Sequence, residues 1–254
     1  MTSDDAFITA LLARAQSDPQ VIGLVLAGSS AHTERRDQWS DHDFLMITVD
    51  GKPEHYRTDL SWLPDHEDIG FWFRETAHGL KVLYRTGLIL EFAVFDRAEF
   101  AACALNHYRV VLDRGGISDL AATIHERSVE PRPADRVTSL RLFLSLVLIG
   151  TGRARRGERL SANVMIRDYA TAHLLRLLAD LLPAEDAEAL DVLDPWRRFE
   201  RAAPDLAAGL DRALSLPIDE VGLALIAHVD PHLRAQWSDY PAQDTDLVVR
   251  LLTM

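Results

Sequence analysis

Apolar and polar positions change rhythm partway along the chain. Up to about residue 115, short apolar runs alternate with turn residues; from residue 117 on, apolar positions recur every three or four residues among Ala, Leu, Arg and Glu. The opening segment Asp4 to Gln16 carries Phe7, Ile8, Leu11, Leu12 and Ala15 on one stripe, which predicts a helix. Runs at 21–27 and 42–49 predict the first two strands, the second closed by the turn pair Asp50-Gly51. Pro53 is placed to begin a helix over 53–61. Three further strands follow at 68–75, 80–85 and 88–95, the last two joined through Thr86-Gly87. A helix from Arg97 to Leu105 and a short strand from Tyr108 to Leu112 complete this half.

After Gly115-Gly116 the pattern becomes helical: 117–127, then, beyond the break Pro131-Arg132-Pro133, a long amphipathic helix from 134 to about 156. Another is expected over 161–182 with Ser161 as its N-cap, and shorter helices follow, punctuated by Pro183, Pro195, Pro204, Pro217 and Pro231. The expected fold class is therefore α+β: a mixed β-sheet with flanking helices over 1–116, then a C-terminal helical bundle over 117–254.

Composition narrows the classes of function. A chain of 254 residues, 48% hydrophobic and 26% charged, has an ordinary soluble composition and room for a substantial core. The formal net charge of −12 disfavours general binding to nucleic acid or an anionic membrane and suits a cationic small partner. One cysteine, Cys103, permits no internal disulfide and no cysteine zinc site. The start Met-Thr-Ser-Asp-Asp has no basic stretch leading into an apolar one, and the run Leu142 to Ile149 is short of the roughly 20 residues a bilayer requires. A cytoplasmic protein is expected.

The candidate chemistry gathers on the strands. Asp41 and Asp43 stand two residues apart at the head of Phe44-Leu45-Met46-Ile47. Positions i and i+2 of a strand face the same way, about 7 Å apart at their roots, so two such carboxylates can converge on one cation. Gly28-Ser29 follows the first strand, where a small-residue turn can bring backbone N–H groups to a phosphate. Ser30 is open to phosphate contact or to capping. A third acid, Glu91, interrupts the apolar run 88–94 and shares a face with Ile89 and Ala93; pairing with Lys81 or Arg85 would account for it equally. Asp96 is the second choice, although its place before Arg97 also fits helix capping. His42, between the two aspartates, points to the opposite face and reads as a packed histidine.

Gly28-Ser29, eleven intervening residues, Asp41-x-Asp43 and a later strand acid resemble the nucleotidyltransferase fold of the DNA polymerase beta superfamily. The two-part layout resembles that of the small aminoglycoside and lincosamide nucleotidyltransferases. The motif-bearing likeness covers about residues 20–96; the helical half matches in kind. The resemblance implies that Asp41 and Asp43 bind two magnesium ions with Glu91 beside them, and that Gly28, Ser29 and Ser30 meet the phosphates of ATP or another nucleoside triphosphate. An acceptor hydroxyl would attack the α-phosphate, its proton passing to Glu91 or to a residue of the helical half such as Glu158 or Asp168. The cluster Arg153, Arg155, Arg156 and Arg159 is a candidate for neutralising the triphosphate, or simply a solvated helix end.

The expected activity is magnesium-dependent transfer of a nucleoside monophosphate, AMP from ATP, to a hydroxyl of a small, cationic acceptor of the aminoglycoside antibiotic type. Two alternatives stay open: nucleotidyl transfer to a protein, as in toxin–antitoxin systems, and a non-catalytic nucleotide-sensing module.

Overall fold

A computed structural model describes residues 3–31, 42–129, 135–187, 190, 194 and 196–254. The chain divides into two compact units, Met1–Glu130 and Pro131–Met254. The fold is α+β, with a six-stranded mixed sheet in the first unit and helices in the second.

The first unit runs α1 (Ser3–Ser17), β1 (Val21–Ala27), a tight 3-10 turn (Gly28–Ala31), β2 (His42–Thr48), α2 (Pro53–Thr58), β3 (Ile69–Arg74), β4 (Gly79–Tyr84), β5 (Ile89–Phe95), α3 (Arg97–Ala102), β6 (Tyr108–Asp113) and α4 (Ile117–Val129). Strand order is β3-β4-β5-β2-β1-β6. Only the central β2–β5 pair is parallel; the other four pairings are antiparallel. Alternation along each strand sorts the side chains between two cores. Leu24 and Leu26 of β1, Phe44 and Met46 of β2 and Leu90, Phe92 and Val94 of β5 pack with Phe7 and Leu11 of α1 and Tyr56 of α2. On the opposite face Val25, Ile47 and Phe95 pack with Phe100 of α3 and Ile117, Ala121 and Ile124 of α4. Burying each such side chain contributes roughly 1.5–3 kcal/mol, which ties the helices to the sheet.

That second core moves a boundary. The sequence reading began the helical half at residue 117, but Ile117–Val129 belongs to the sheet unit because its apolar stripe is part of the sheet's core. Helix α2 ends at Thr58, short of the expected 61, and Asp59 is already extended. Asp96 is a cap: its carboxylate accepts the Glu99 N–H at 2.8 Å while the Glu99 carboxylate accepts the Asp96 N–H at 2.9 Å.

The second unit contains α5 (Arg136–Arg155), α6 (Arg159–Asn163), a π-helical segment (Val164–Ala170), α7 (Thr171–Leu181), α8 (Ala184–Ala187), α9 (Phe199–Ala202), α10 (Pro204–Leu214), α11 (Ile218–Gln236) and α12 (Ala242–Thr253). Helix α5 is long and apolar enough, by length and composition, to cross a membrane, yet Leu140, Phe143, Leu144 and Val147 are buried in the core of this unit. Two expectations are corrected here. Ser161 is no N-cap, since the helix starts two residues earlier and the Ser161 hydroxyl accepts from the Arg153 guanidinium. Pro231 does not end a helix but lies inside α11, where Val229 and Leu233 on the buried side hold the helix together across it.

Candidate active site

The two helices of the second core pack over Ile47 and Phe95, near the C-terminal ends of β2 and β5, while Asp43 and Glu91 stand near the N-terminal ends. Parallel register there sets Asp43 directly beside Glu91. Both belong to the face of Ile47 and Phe95, because Phe44 and Phe92 turn into the opposite core, their rings stacked 4.7 Å apart. Asp43 is partly buried, and the Glu91 side chain is 47% exposed. Neighbouring strands lie about 4.8 Å apart, so the two carboxylates stand within reach of one cation.

The turn after β1 is fastened to the same place. Gly28 has a φ of +53° and donates its N–H to the His107 carbonyl at 3.1 Å. A Cβ on Gly28 would stand 2.5 Å from Asp43 Oδ2, so the backbone passes the carboxylate at a distance only glycine allows. Ser30 is completely buried and its hydroxyl accepts the Asp43 N–H at 3.0 Å. Through this bond the Ser30 hydroxyl ties the turn to β2. Asp41 lies outside the described residues, as does the side chain of Ser29. His42 is buried and stacks on Phe7 at 5.6 Å with the rings 9° from parallel, as its place on the opposite face requires.

The row continues across the sheet. Register sets Lys81 of β4 beside Glu91 and Phe73 of β3 beside Lys81. Lys81 Nζ is 3.3 Å from Glu91 Oε2 and 3.1 Å from Glu75 Oε1. These partners, Glu75 foremost, hold the Lys81 ammonium above its ordinary value. Of the two partners the sequence offered for Glu91, Lys81 is the one engaged; Arg85 instead donates to the Glu67 carbonyl at 3.0 Å. Glu91 is on an interior strand rather than an edge. In the sequence Glu75 closes the apolar run 68–75, and only the β3–β4 pairing brings it to Lys81.

Among the described residues no group of three His, Cys, Asp or Glu is gathered to hold a metal. Asp43 and Glu91 nevertheless fit magnesium, which is commonly held by one or two carboxylates, with substrate phosphate and water oxygens completing its shell.

The basic cluster singled out in the sequence is engaged within the second unit. Arg156 pairs with Glu158 at 3.0 Å, Arg159 with Asp219 at 3.5 Å, and Arg155 donates to the Leu252 carbonyl. Arg167 donates to the carbonyls of Leu214 and Leu216 at the end of α10. Arg155 thus serves a helix end, where a cation complements unpaired carbonyls, while Arg156 and Arg159 are held in ion pairs. Asp168 is exposed on the π-helical segment, a helix form often found at functional sites.

No family model matches the chain, and no curated protein does. Among solved structures the chain is similar to an aminoglycoside 6-adenyltransferase from Bacillus subtilis, at 12% identity over 99% of this chain and 98% of that one, with a TM-score of 0.43. It is also similar to a nucleotidyltransferase-like protein from Exiguobacterium sibiricum 255-15, at 15% identity over 92% of this chain and 75% of that one, with a TM-score of 0.37.

Proposed function

We propose that the chain is a nucleotidyltransferase that moves a nucleoside monophosphate, AMP from ATP, onto a hydroxyl of a small acceptor. The observation that carries this reading is the Asp43–Glu91 pair, in register on neighbouring parallel strands, with Asp43 close against the Gly28 turn. Such a pair supports magnesium binding, and the backbone of the turn supports a triphosphate lying beside it. Asp43 and Glu91, with Asp41 joining them, would hold the metal, which supplies charge stabilisation at the transferring phosphoryl group. The acceptor oxygen forms a bond to the α-phosphorus as the bridging oxygen to the β-phosphorus departs with pyrophosphate. Glu91, whose side chain is half exposed, takes the acceptor's proton. The net charge of −12 favours a cationic acceptor, so hydroxyl-bearing aminoglycosides are the first compounds to try.

Titration with ATP, with and without magnesium, tests the reading. Binding should depend on the metal and be greatly weakened in Asp43→Asn. Incubation with a panel of hydroxyl-bearing antibiotics and ATP should yield one acceptor heavier by a nucleoside monophosphate in mass spectrometry. Wild-type affinity for MgATP in Asp43→Asn would remove the metal assignment. Tight, metal-dependent binding without an adduct on any small molecule would favour a protein acceptor or a sensing role.

A further inference from the structure

The row that carries Asp43 and Glu91 also carries its own cation. Lys81 is not a loose surface lysine: Leu80 and Val82 on either side of it are buried to 1% exposure in the opposite core, so the pleat fixes the stem of Lys81 on the face of Glu91. Its ammonium touches two carboxylates at once, Glu91 at 3.3 Å and Glu75 at 3.1 Å. Glu75 is itself held in place, its N–H donating to the Gly79 carbonyl at 3.0 Å. A divalent ion entering between Asp43 and Glu91 therefore approaches a carboxylate already bound to a positive charge. Ion and ammonium compete for Glu91, while Glu75 offers the ammonium a second seat.

Building on the nucleotidyltransferase reading, we propose that Lys81 is a positioning residue that serves as the resting counter-ion of Glu91 and passes to Glu75 when the metal arrives. Two consequences follow. The protein without nucleotide holds a divalent ion weakly, because binding must first displace the ammonium. The ion loads together with the triphosphate, whose oxygens supply the additional ligands that tip the exchange. Lys81 and Glu75 thereby set the order of loading without touching the transferring phosphate.

Manganese alone is a suitable probe, with free ion counted by electron paramagnetic resonance and affinity measured by calorimetry, no nucleotide present. Lys81→Met should tighten manganese binding about two- to fivefold, the range an exposed charge pair can deliver. Glu75→Gln should weaken it by a similar factor, because the ammonium is then left to Glu91 alone. Glu91→Gln should weaken manganese binding and also abolish the effect of Lys81→Met. The opposite signs of the two exposed variants are what a purely structural role would not produce, and circular dichroism checks that both are folded. If Glu91→Gln weakens binding but Lys81→Met and Glu75→Gln leave it unchanged, or shift it the same way, the counter-ion role is overturned and the metal site stands. If neither Glu91→Gln nor Asp43→Asn alters manganese binding, the metal site and the counter-ion role fall together.

Discussion

Replacing Gly28 with alanine separates the conformational demand of the turn from its proximity to Asp43. Gly28 has a φ of +53°, in the left-handed region, where a Cβ costs an L-residue roughly 1–2 kcal/mol. Gly51, with a φ of +74°, provides the control, since a Cβ there would meet nothing within 4 Å. Gly51→Ala therefore carries the backbone cost alone. At Gly28 the added carbon would lie 2.5 Å from Asp43 Oδ2, far inside ordinary contact, so the carboxylate has to swing away. The far end of a side chain yields at small cost, so urea unfolding should show both variants destabilised by about 1–2 kcal/mol. The difference should appear in function. A carboxylate swung out of register with Glu91 loses a charge-assisted contact worth about 1.5–3 kcal/mol, which is roughly a ten- to hundredfold loss of MgATP affinity. Calorimetric titration with MgATP measures it directly. The reasoning is refuted if Gly28→Ala binds within twofold of wild type, or if Gly51→Ala loses affinity equally.

Further expectations concern the frame that holds the site. The Asp113 carboxylate accepts the N–H groups of Gly116, Ile117 and Ser118 at 2.8–3.0 Å at the start of α4, so Asp113→Ala should cost about 1–2 kcal/mol in urea unfolding. The bonds from Ser118, then those from Ile117 and Gly116, lower its carboxyl from the ordinary 3.8 to about 2. Because the folded value is the lower one, this stabilisation is complete above about pH 4 and is lost between pH 4 and 2, where wild type and Asp113→Ala should converge. Arg57 is buried beneath the sheet end and donates to the Val94 carbonyl at 2.6 and 3.0 Å and to Glu99 at 2.6 Å. Arg57→Met should destabilise the first unit by about 3 kcal/mol, and Arg57→Lys should not rescue it, because an ammonium cannot reproduce the planar fork; thermal and urea melts check both. Burial, then the charge of His228, lowers the His232 value below 6.5, and its buried Nε2 has no hydrogen-bond partner among the described residues. Protonation thus opposes folding: stability should be constant above about pH 6.5 and fall as pH drops below it, a slope that His232→Leu should reduce in melts from pH 7 to 5.

Much of the sheet unit was legible because period-two alternation is a strong local signal. Val21–Ala27, His42–Thr48 and Ile89–Phe95 stand within a residue or so of their expected ranges, since each run is bounded by glycine or polar turn residues that stop it. The helical unit was harder to divide. Residues 161–182 read as one amphipathic helix, whereas the chain there runs through a π-helical segment, Val164–Ala170, whose Ile166 and Ala170 are buried in the core of the unit. Helix Ile117–Val129 has a plain helical pattern that says nothing of which core its stripe enters. Ser30 shows the same limit at the site, for the bond its hydroxyl accepts from the Asp43 N–H is not written in a Gly-Ser-Ser turn.

The sequence by itself determined the kinds of groups available. It placed Asp43 and Glu91 on strands and on faces opposite to Phe44 and Phe92, because alternation is a property of neighbouring residues along one chain. It also placed Gly28 at a turn, because a small residue ending an apolar run is a local signal. Only the tertiary structure decided that those strands lie side by side, in parallel and in register, with Gly28 against one carboxylate and Lys81 against the other. Strand order and register arise from the packing of two cores and from crossover connections between residues far apart in the chain. No local pattern encodes which lysine stands beside which acid, and it is that pairing which sets the charge balance beside Glu91.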